Sequence, residues 1–183
     1  MDGYEQKCNE NMIIGYKLFN KDFTNRYGMK FEIGQKYIKE GNVRFGVHGS
    51  GFHFCKNFED TFRYFDSSEG FILAQVIGSG DIVEYNDDYY EFYDMYASSE
   101  LTIIKIISRE EIMEMAKDIC NIEYKIRRFI QLFHMTDDEE KQLIKVNPSL
   151  EDTINLYKSY KKEYILNKKY RKMWTPEKIV RNM

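Results

Sequence analysis

The spacing of the apolar residues changes at Ser108, and this change divides the chain into a part with strand patterns and a part with helix patterns. From Met12 to Ser108, short apolar runs alternate with glycine- and asparagine-rich turns, as in a sheet of short strands. Beyond Ser108 the apolar residues recur every three or four positions, as on one face of an amphipathic helix. These positions are Ile112, Met115, Ala116, Ile119, Ile122, Ile126, Phe129, Ile130 and Phe133. We therefore predict an α+β fold, a small, mostly antiparallel sheet domain followed by a helical C-terminal segment.

The same pattern sets the expected domain boundaries. Residues 1–11 form an N-terminal leader, residues 12–108 the β-rich domain, and residues 109–183 a helical segment with a basic tail. Inside the β-rich domain, Gly78 and Gly80 flank Ser79 and predict a tight hairpin turn.

The sequence from Ser108 onward contains two clear helix start signals. Ser108 with Glu111, and Thr136 with Glu139, form capping-box pairs three residues apart. The apolar repeat predicts one helix from the first pair to Phe133, and Pro148 is suited to the first turn of a later helix.

Composition limits the class of protein. The chain is 43% hydrophobic and 16% aromatic, which supplies enough apolar surface for an ordered core. Its three cysteines are irregularly spaced, so they predict neither a disulfide framework nor a zinc site. The polar start is unlike a secretory signal, and no apolar run approaches the roughly 18 residues of a membrane span. We expect a protein that is not secreted and contacts no membrane.

Charge is distributed unevenly. From Ile154 to Met183 there are nine Lys or Arg and two Glu, a charge of +7, while the net charge of the chain is −3. The rest of the chain therefore carries −10. A basic tail on an acidic body predicts contact with a partner, either a protein or a nucleic acid such as RNA. The candidate contact residues are Lys158, Lys161, Lys162, Lys168, Lys169, Arg171, Lys172 and Trp174. The alternative is a solvated helix face.

The segment GFHFC, from Gly51 to Cys55, is the most distinctive short motif. Strand alternation places Phe52 and Phe54 on one face, and His53 and Cys55 on the other. A His–Cys catalytic pair would need the two side chains to meet, but neighbours on one strand face are about 7 Å apart. The packed strand face is the favoured interpretation, and no metal site is expected.

The pieces GYKLFNKDFTNR, FEIGQKY, GFHFCKNFEDTFRYF and SSELTIIKII together resemble an uncharacterised domain of mimivirus-like giant DNA viruses, also found in phage and bacteria. The resemblance covers about Met12 to Arg109. It implies a viral origin more than an activity. The expected location is then the host cytoplasm or the virus particle.

The order of elements is also similar to that of the ADP-ribosyltransferase fold. In that family an early strand residue, a middle aromatic and a late-strand glutamate surround NAD. Carried over, this similarity implies Tyr16, His53 or Phe54, and Glu100 as catalytic candidates. The Glu100 carboxylate would hold the ribose hydroxyls and stabilise an oxocarbenium-like transition state.

Two functions follow as expectations. The first is a non-enzymatic binding or adaptor protein of giant-virus origin that contacts a protein or RNA partner through its C-terminal helices and needs no cofactor. The alternative is an ADP-ribosyltransferase-like enzyme that uses NAD and is centred on Tyr16, His53 and Glu100.

Overall fold

The structure is a computed structural model, and it describes residues 4–7, 11–45, 50–65, 70–86, 95–119 and 123–159. The strands are β1 (Tyr4–Lys7), β2 (Met12–Asn20), β3 (Lys36–Ile38), β4 (Phe52–Cys55), β5 (Phe71–Asn86) and β6 (Met95–Ile106). The helices are α1 (Phe58–Thr61), α2 (Arg109–Ala116), α3 (Glu123–Phe133), α4 (Asp137–Val146) and α5 (residues 151–159). Single 3₁₀ turns at Phe62–Tyr64 and Pro148–Leu150 follow α1 and precede α5. The predicted α+β class is confirmed.

The named strands pair antiparallel and close into a small barrel. The long strands β5 and β6 pair with each other, and β2 pairs with β5 along its whole length. The short strand β4 pairs with β6 and also with β2, at Tyr16 and Cys55, which completes the ring β2–β5–β6–β4. Beyond β4, β3 continues beside β6, and beyond β2, β1 continues beside β5. The expected leader therefore contributes a strand to the sheet.

Aromatic side chains fill the barrel, and two glycines make room for one of them. Phe54, 2% exposed, lies between β2 and β5. A Cβ atom at Gly15 would lie 2.8 Å from its ring, and one at Gly78 would overlap the ring. The other buried members of this core are Ile13, Phe19, Phe31, Phe52, Ala74, Val76, Ile82, Tyr96, Leu101 and Ile103.

The predicted hairpin turn at Gly78–Gly80 is wrong. Strand β5 runs through these residues without reversing, and its pairing with β6 shifts between Ser79 and Ile82. Gly78 is small because Phe54 packs against it, and Gly80 has φ +76° where the register shifts. Both glycines therefore belong to a bent, bulged strand. The same glycine spacing is also found in tight turns, so the spacing alone does not distinguish the two structures.

The helices cover the outer face of the sheet. Their apolar sides form a second core with α1 and with Leu73 and Ile107 from the ends of β5 and β6. Both predicted capping boxes are present, at Ser108 and Thr136. The single long helix expected after Ser108 is wrong, because α2 ends at Ala116 and α3 begins at Glu123. At the end of α2 the backbone forms i→i−3 hydrogen bonds, which tighten the chain around buried Ile119.

Two ion pairs fix the helices in place. Lys125 of α3 lies 2.6 Å from Asp60 of α1, and both side chains are buried, so this ion pair joins α3 to the short helix that follows β4. Arg109 at the start of α2 makes a bidentate contact with Glu139 of α4, with both N–O distances at 2.7 Å. The Arg109 hydrogen bonds hold the pKa of Glu139 at about 2.

We predict that Gly78→Ala will lower the free energy of unfolding by about 1–3 kcal/mol, because the added methyl group overlaps the Phe54 ring. Combining it with Phe54→Leu removes the outer ring atoms that the methyl group meets. The double variant should therefore be less destabilised than the sum of the two single variants, as measured by urea unfolding. Additive effects would show that Phe54 does not fill the space at Gly78.

Candidate functional site

His53 lies in the middle of β4, on the outer face of the barrel. As the alternation predicted, Phe52 and Phe54 point into the core and His53 points away from it. The Phe45 ring lies over the imidazole, with 5.1 Å between the ring centres, and lies at the same distance from the Tyr85 ring of β5. The three rings are all half-buried, so this part of the barrel surface is aromatic and partly open to solvent.

Lys17 reaches the same place from β2. In the described strands, β2 and β4 are paired at Tyr16 and Cys55 and at no other position. Lys17, the next residue of β2, reaches across to β4 with its side chain. Its ammonium donates a hydrogen bond to the His53 carbonyl oxygen at 2.5 Å. The pKa of Lys17 is lowered to about 8, chiefly by burial, with a smaller contribution from the Arg26 charge, while Cys55 opposes the shift. The site thus contains a largely desolvated cation whose hydrogen-bond partner is a neutral carbonyl group.

Two exposed cations lie close enough for their charges to act on His53: Arg26 before β3 and Lys39 after β3. Burial lowers the pKa of His53 to about 4, and the charges of Lys17, Arg26 and Lys39 contribute, while a hydrogen bond with the Arg44 backbone opposes the shift. His53 is therefore a neutral imidazole at pH 7.

Lys17, Arg26 and Lys39 have no nearby carboxylate partner among the described residues. Across the ranges that the structure describes, no carboxylate lies within 4 Å of these three cations, and all three charges act on His53. In a chain of net charge −3, such a group concentrates positive potential at one place. The arrangement is suited to binding an anion.

The three residues of the NAD hypothesis lie in different surroundings. Tyr16 packs edge-on against Phe58, with 6.5 Å between ring centres, next to the helix-covered core. Glu100 pairs with Lys36 at 2.7 Å and accepts a hydrogen bond from Ser79. These contacts lower the pKa of Glu100 and keep it ionised.

The strand register separates Glu100 from the other two residues. Tyr16 is opposite Gln75 and Glu100 is opposite Ser79, which are about 13 Å apart along β5. His53 is opposite Ala97, about 10 Å along β6 from Glu100. Phe54, the alternative aromatic candidate, is enclosed in the barrel core. Tyr16 is opposite Cys55, two residues from His53, so these two are neighbours, but the register keeps Glu100 away from both. The NAD hypothesis stays a prediction.

The basic tail is described only at its start. Lys158 of α5 forms an ion pair with Glu140 of α4, whose side chain is buried, so this lysine stabilises the helix packing. The remaining tail candidates lie outside the described residues: Lys161, Lys162, Lys168, Lys169, Arg171, Lys172 and Trp174.

The sequence pattern indicates His53 but not the cations around it. Lys17, Arg26 and Lys39 lie on separate loops and strands, and no spacing rule connects them. One signal was present, because Lys17 occupies the apolar face of β2 between Gly15 and Phe19. A lysine at a core-facing position of a strand indicates a functional or paired cation.

Two features of other classes of protein are absent from the residues that the structure describes. Across these ranges, no three His, Cys, Asp or Glu side chains are placed as metal ligands would be. No helix in the same ranges has the length and apolar character to cross a membrane.

Comparison with known proteins gives one match. A family model described as a domain of unknown function (DUF7666) matches residues 13–115, from β2 into α2. No curated protein and no solved structure matches the chain.

We predict that His53 makes the fold sensitive to mild acid. Its pKa is about 4 in the folded chain and near 6.5 in the unfolded chain. Between these values the unfolded chain binds a proton that the folded chain does not, so the free energy of unfolding falls as pH falls. The His53 contribution to this loss should be about 2 kcal/mol from pH 7 to pH 5.

Urea unfolding at both pH values measures this effect in the wild-type chain and in His53→Gln. The variant should lose less stability because glutamine does not titrate. Equal losses in the two proteins would contradict a buried, neutral His53.

Proposed function

The chain belongs to the DUF7666 family, a domain of unknown function, and we propose that it is a non-enzymatic binding protein. The description of the family gives no activity that could be carried over to this chain. The proposed binding protein recognises an anionic partner at the His53 site. The observation that carries the proposal is the group of Lys17, Arg26 and Lys39 around His53, without a nearby carboxylate among the described residues. An anion at this place would supply the missing negative charge.

The desolvation of Lys17 supports the proposal. Moving an ammonium out of water costs free energy, which a neutral carbonyl acceptor offsets only in part. A bound anion would interact with Lys17 in partly buried surroundings, where charge attraction is stronger than in water. Bringing an anion to the site should therefore raise the pKa of both Lys17 and His53.

The chemistry of the nearby groups favours binding over catalysis. The Cys55 thiol is 3% exposed, which leaves little access for a substrate. Glu100 is engaged by Lys36 and Ser79. His53 stays neutral because burial lowers its pKa to about 4.

We also propose that the chain is an adaptor, with its basic C-terminal tail as a second contact for a protein or RNA partner. The charge of +7 from Ile154 to Met183 supports this second surface. The resemblance of the GFHFC region to domains of giant DNA viruses supports a viral origin, and with it a location in the host cytoplasm or the virus particle.

The first test uses inorganic pyrophosphate as the anion. Titration followed by NMR should show the His53 imidazole pKa rising from about 4, because a nearby negative charge favours the imidazolium. Lys17→Met keeps the apolar stem of the side chain and removes its charge, and it should weaken binding about tenfold.

The matched control for this test is Lys105→Met, which removes a cation that pairs with Glu111 on the helix side of the chain. It should bind pyrophosphate as the wild-type chain does. If the two variants bind equally well, or if pyrophosphate leaves the His53 pKa unchanged, the site does not bind anions.

The second test removes residues 160–183. Ile154 is fully buried in the helix-covered core, so the deletion has to start beyond it if the fold is to be kept. We expect the shortened chain to remain folded, with an unchanged circular dichroism spectrum, and to lose the partner that copurifies with the full chain from its native cell. Retention of the same partner would show that the tail is not the contact.

A further inference from the structure

The outer face of the sheet is covered by the helices at only one end. At the covered end, Leu73 and Ile107 belong to the second core. Away from that end, three apolar side chains of the same sheet are largely exposed: Met12 is 56% exposed, Ile14 52% and Ile38 68%. A group of exposed apolar side chains on one sheet indicates a surface that contacts a partner.

The strand register places these side chains on one face. Along β2, Gly15 faces the Phe54 ring inside the barrel, so Met12 and Ile14 point outward. Across β5, β6 and β3, the outward positions continue as two rows of neighbours. One row contains Ile14, Ile77, Thr102 and Lys36, and the other contains Met12, Ser79, Glu100 and Ile38. We call these eight residues the open sheet face.

The open sheet face has no net charge. Lys36 and Glu100 lie 2.7 Å apart on it, and the Ser79 hydroxyl donates a hydrogen bond to the same carboxylate oxygen at 2.7 Å. The chain before Ile154 carries −10 in total, so the bodies of two copies repel each other wherever that charge is exposed. A neutral face with one charge of each sign is complementary to itself, because two-fold symmetry can bring Lys36 of one copy to Glu100 of the other.

We infer that the open sheet face binds a second copy of this chain, in a two-fold symmetric dimer. Two sheet faces pack on one another about 10 Å apart, with the apolar side chains of the two layers in contact. Met12, Ile14 and Ile38 of each copy would then be shielded from water. The inference concerns a different surface from the proposed anion site and uses none of its residues.

Charge distinguishes a second copy from strongly charged occupants of the same face. The C-terminal tail, with a charge of +7, gains no net attraction at a neutral face. A polyanion gains none either. An identical face instead supplies apolar side chains opposite apolar side chains, and one charge of each sign opposite the Lys36–Glu100 pair.

The size of the face sets the strength of the expected dimer. Four strands about 4.8 Å apart, with outward side chains about 7 Å apart along each strand, give an accessible area on the order of 500 Å². Two such faces bury about 1,000 Å², which is close to the lower limit for a specific interface and below the area of a permanent dimer. We therefore expect a dimer that dissociates at roughly 10–100 µM.

Sedimentation velocity of the full chain, from about 2 to about 300 µM, measures this association. We expect the sedimentation coefficient to rise with concentration from that of a monomer towards that of a dimer. The dimer should be at least as stable in about 0.5 M salt as in about 0.1 M, because salt screens the repulsion between the acidic bodies. A chain that stays monomeric throughout, or a dimer that weakens as salt is added, would overturn the inference.

Single lysine substitutions locate the interface. Ile14→Lys and Ile38→Lys each place an unpaired charge in the open sheet face, and each should weaken dimerisation by about tenfold or more. Both positions are more than half exposed, so the fold and its circular dichroism spectrum should be kept. Val146→Lys is the matched control, because Val146 is an apolar residue of α4 that is 54% exposed and lies outside the face. It makes the same change of net charge and should dimerise as the wild-type chain does.

Two further outcomes would assign the face to another occupant or the dimer to another surface. If the full chain stays monomeric but a chain without residues 160–183 dimerises, the tail occupies the face and the inference fails. If Ile14→Lys and Ile38→Lys dimerise as well as the wild-type chain, or if Val146→Lys weakens the dimer equally, the dimer forms elsewhere and the inference also fails.

Discussion

The contact of the Phe54 ring with Gly15 and Gly78 is the constraint on which the rest of the structure depends. Strand β4 has four residues and must pair with two neighbours to close the barrel. Its central aromatic ring can enter the barrel only where β2 and β5 have no side chain. Once Phe54 occupies that space, His53 necessarily points outward and its carbonyl oxygen lies within reach of Lys17. The packing inside the barrel thereby determines the chemistry of its outer surface.

Charge divides the described molecule into two regions of different character. On the helices and on β3 and β6, several basic side chains pair with carboxylates, as in Lys125–Asp60, Arg109–Glu139 and Lys36–Glu100. These pairs hold elements together and leave little net attraction for a partner. Around β4 the basic side chains meet a neutral imidazole, a carbonyl group and aromatic rings. Lysine and arginine thus stabilise the packing of elements in one region and remain available to bind a partner in the other.

Much of the fold followed from the sequence because its signals are local. The capping boxes at Ser108 and Thr136 and the alternation of Phe52, His53 and Phe54 depend on residues close in sequence, and the structure has them as expected. The continuity of β5 through Gly78 could not be predicted, because the reason for that glycine is a ring 24 positions earlier in the chain. The break between α2 and α3 was missed because the apolar repeat continues across it.

The candidate site was predictable only in its centre. The glycine- and aromatic-rich motif around His53 indicates that residue as a candidate. The cations that give the site its character come together through strand pairing and loop placement, which no local pattern encodes. Conversely, the proposed carboxylate at Glu100 was identified from the order of elements alone, and the register places it away from Tyr16 and His53.

The span matched by the family ends inside α2, while most of the second core is built from residues beyond it, through Ile154. The outer sheet face with Leu73 and Ile107 therefore depends on a covering that the shared domain does not itself encode. A relative that has only the shared span must shield this face by other means, through unrelated helices, a second subunit or polar replacements. In this chain the covering layer is supplied largely from outside the span that the family model matches, so the shared domain and the layer that shields it are separate stretches of sequence.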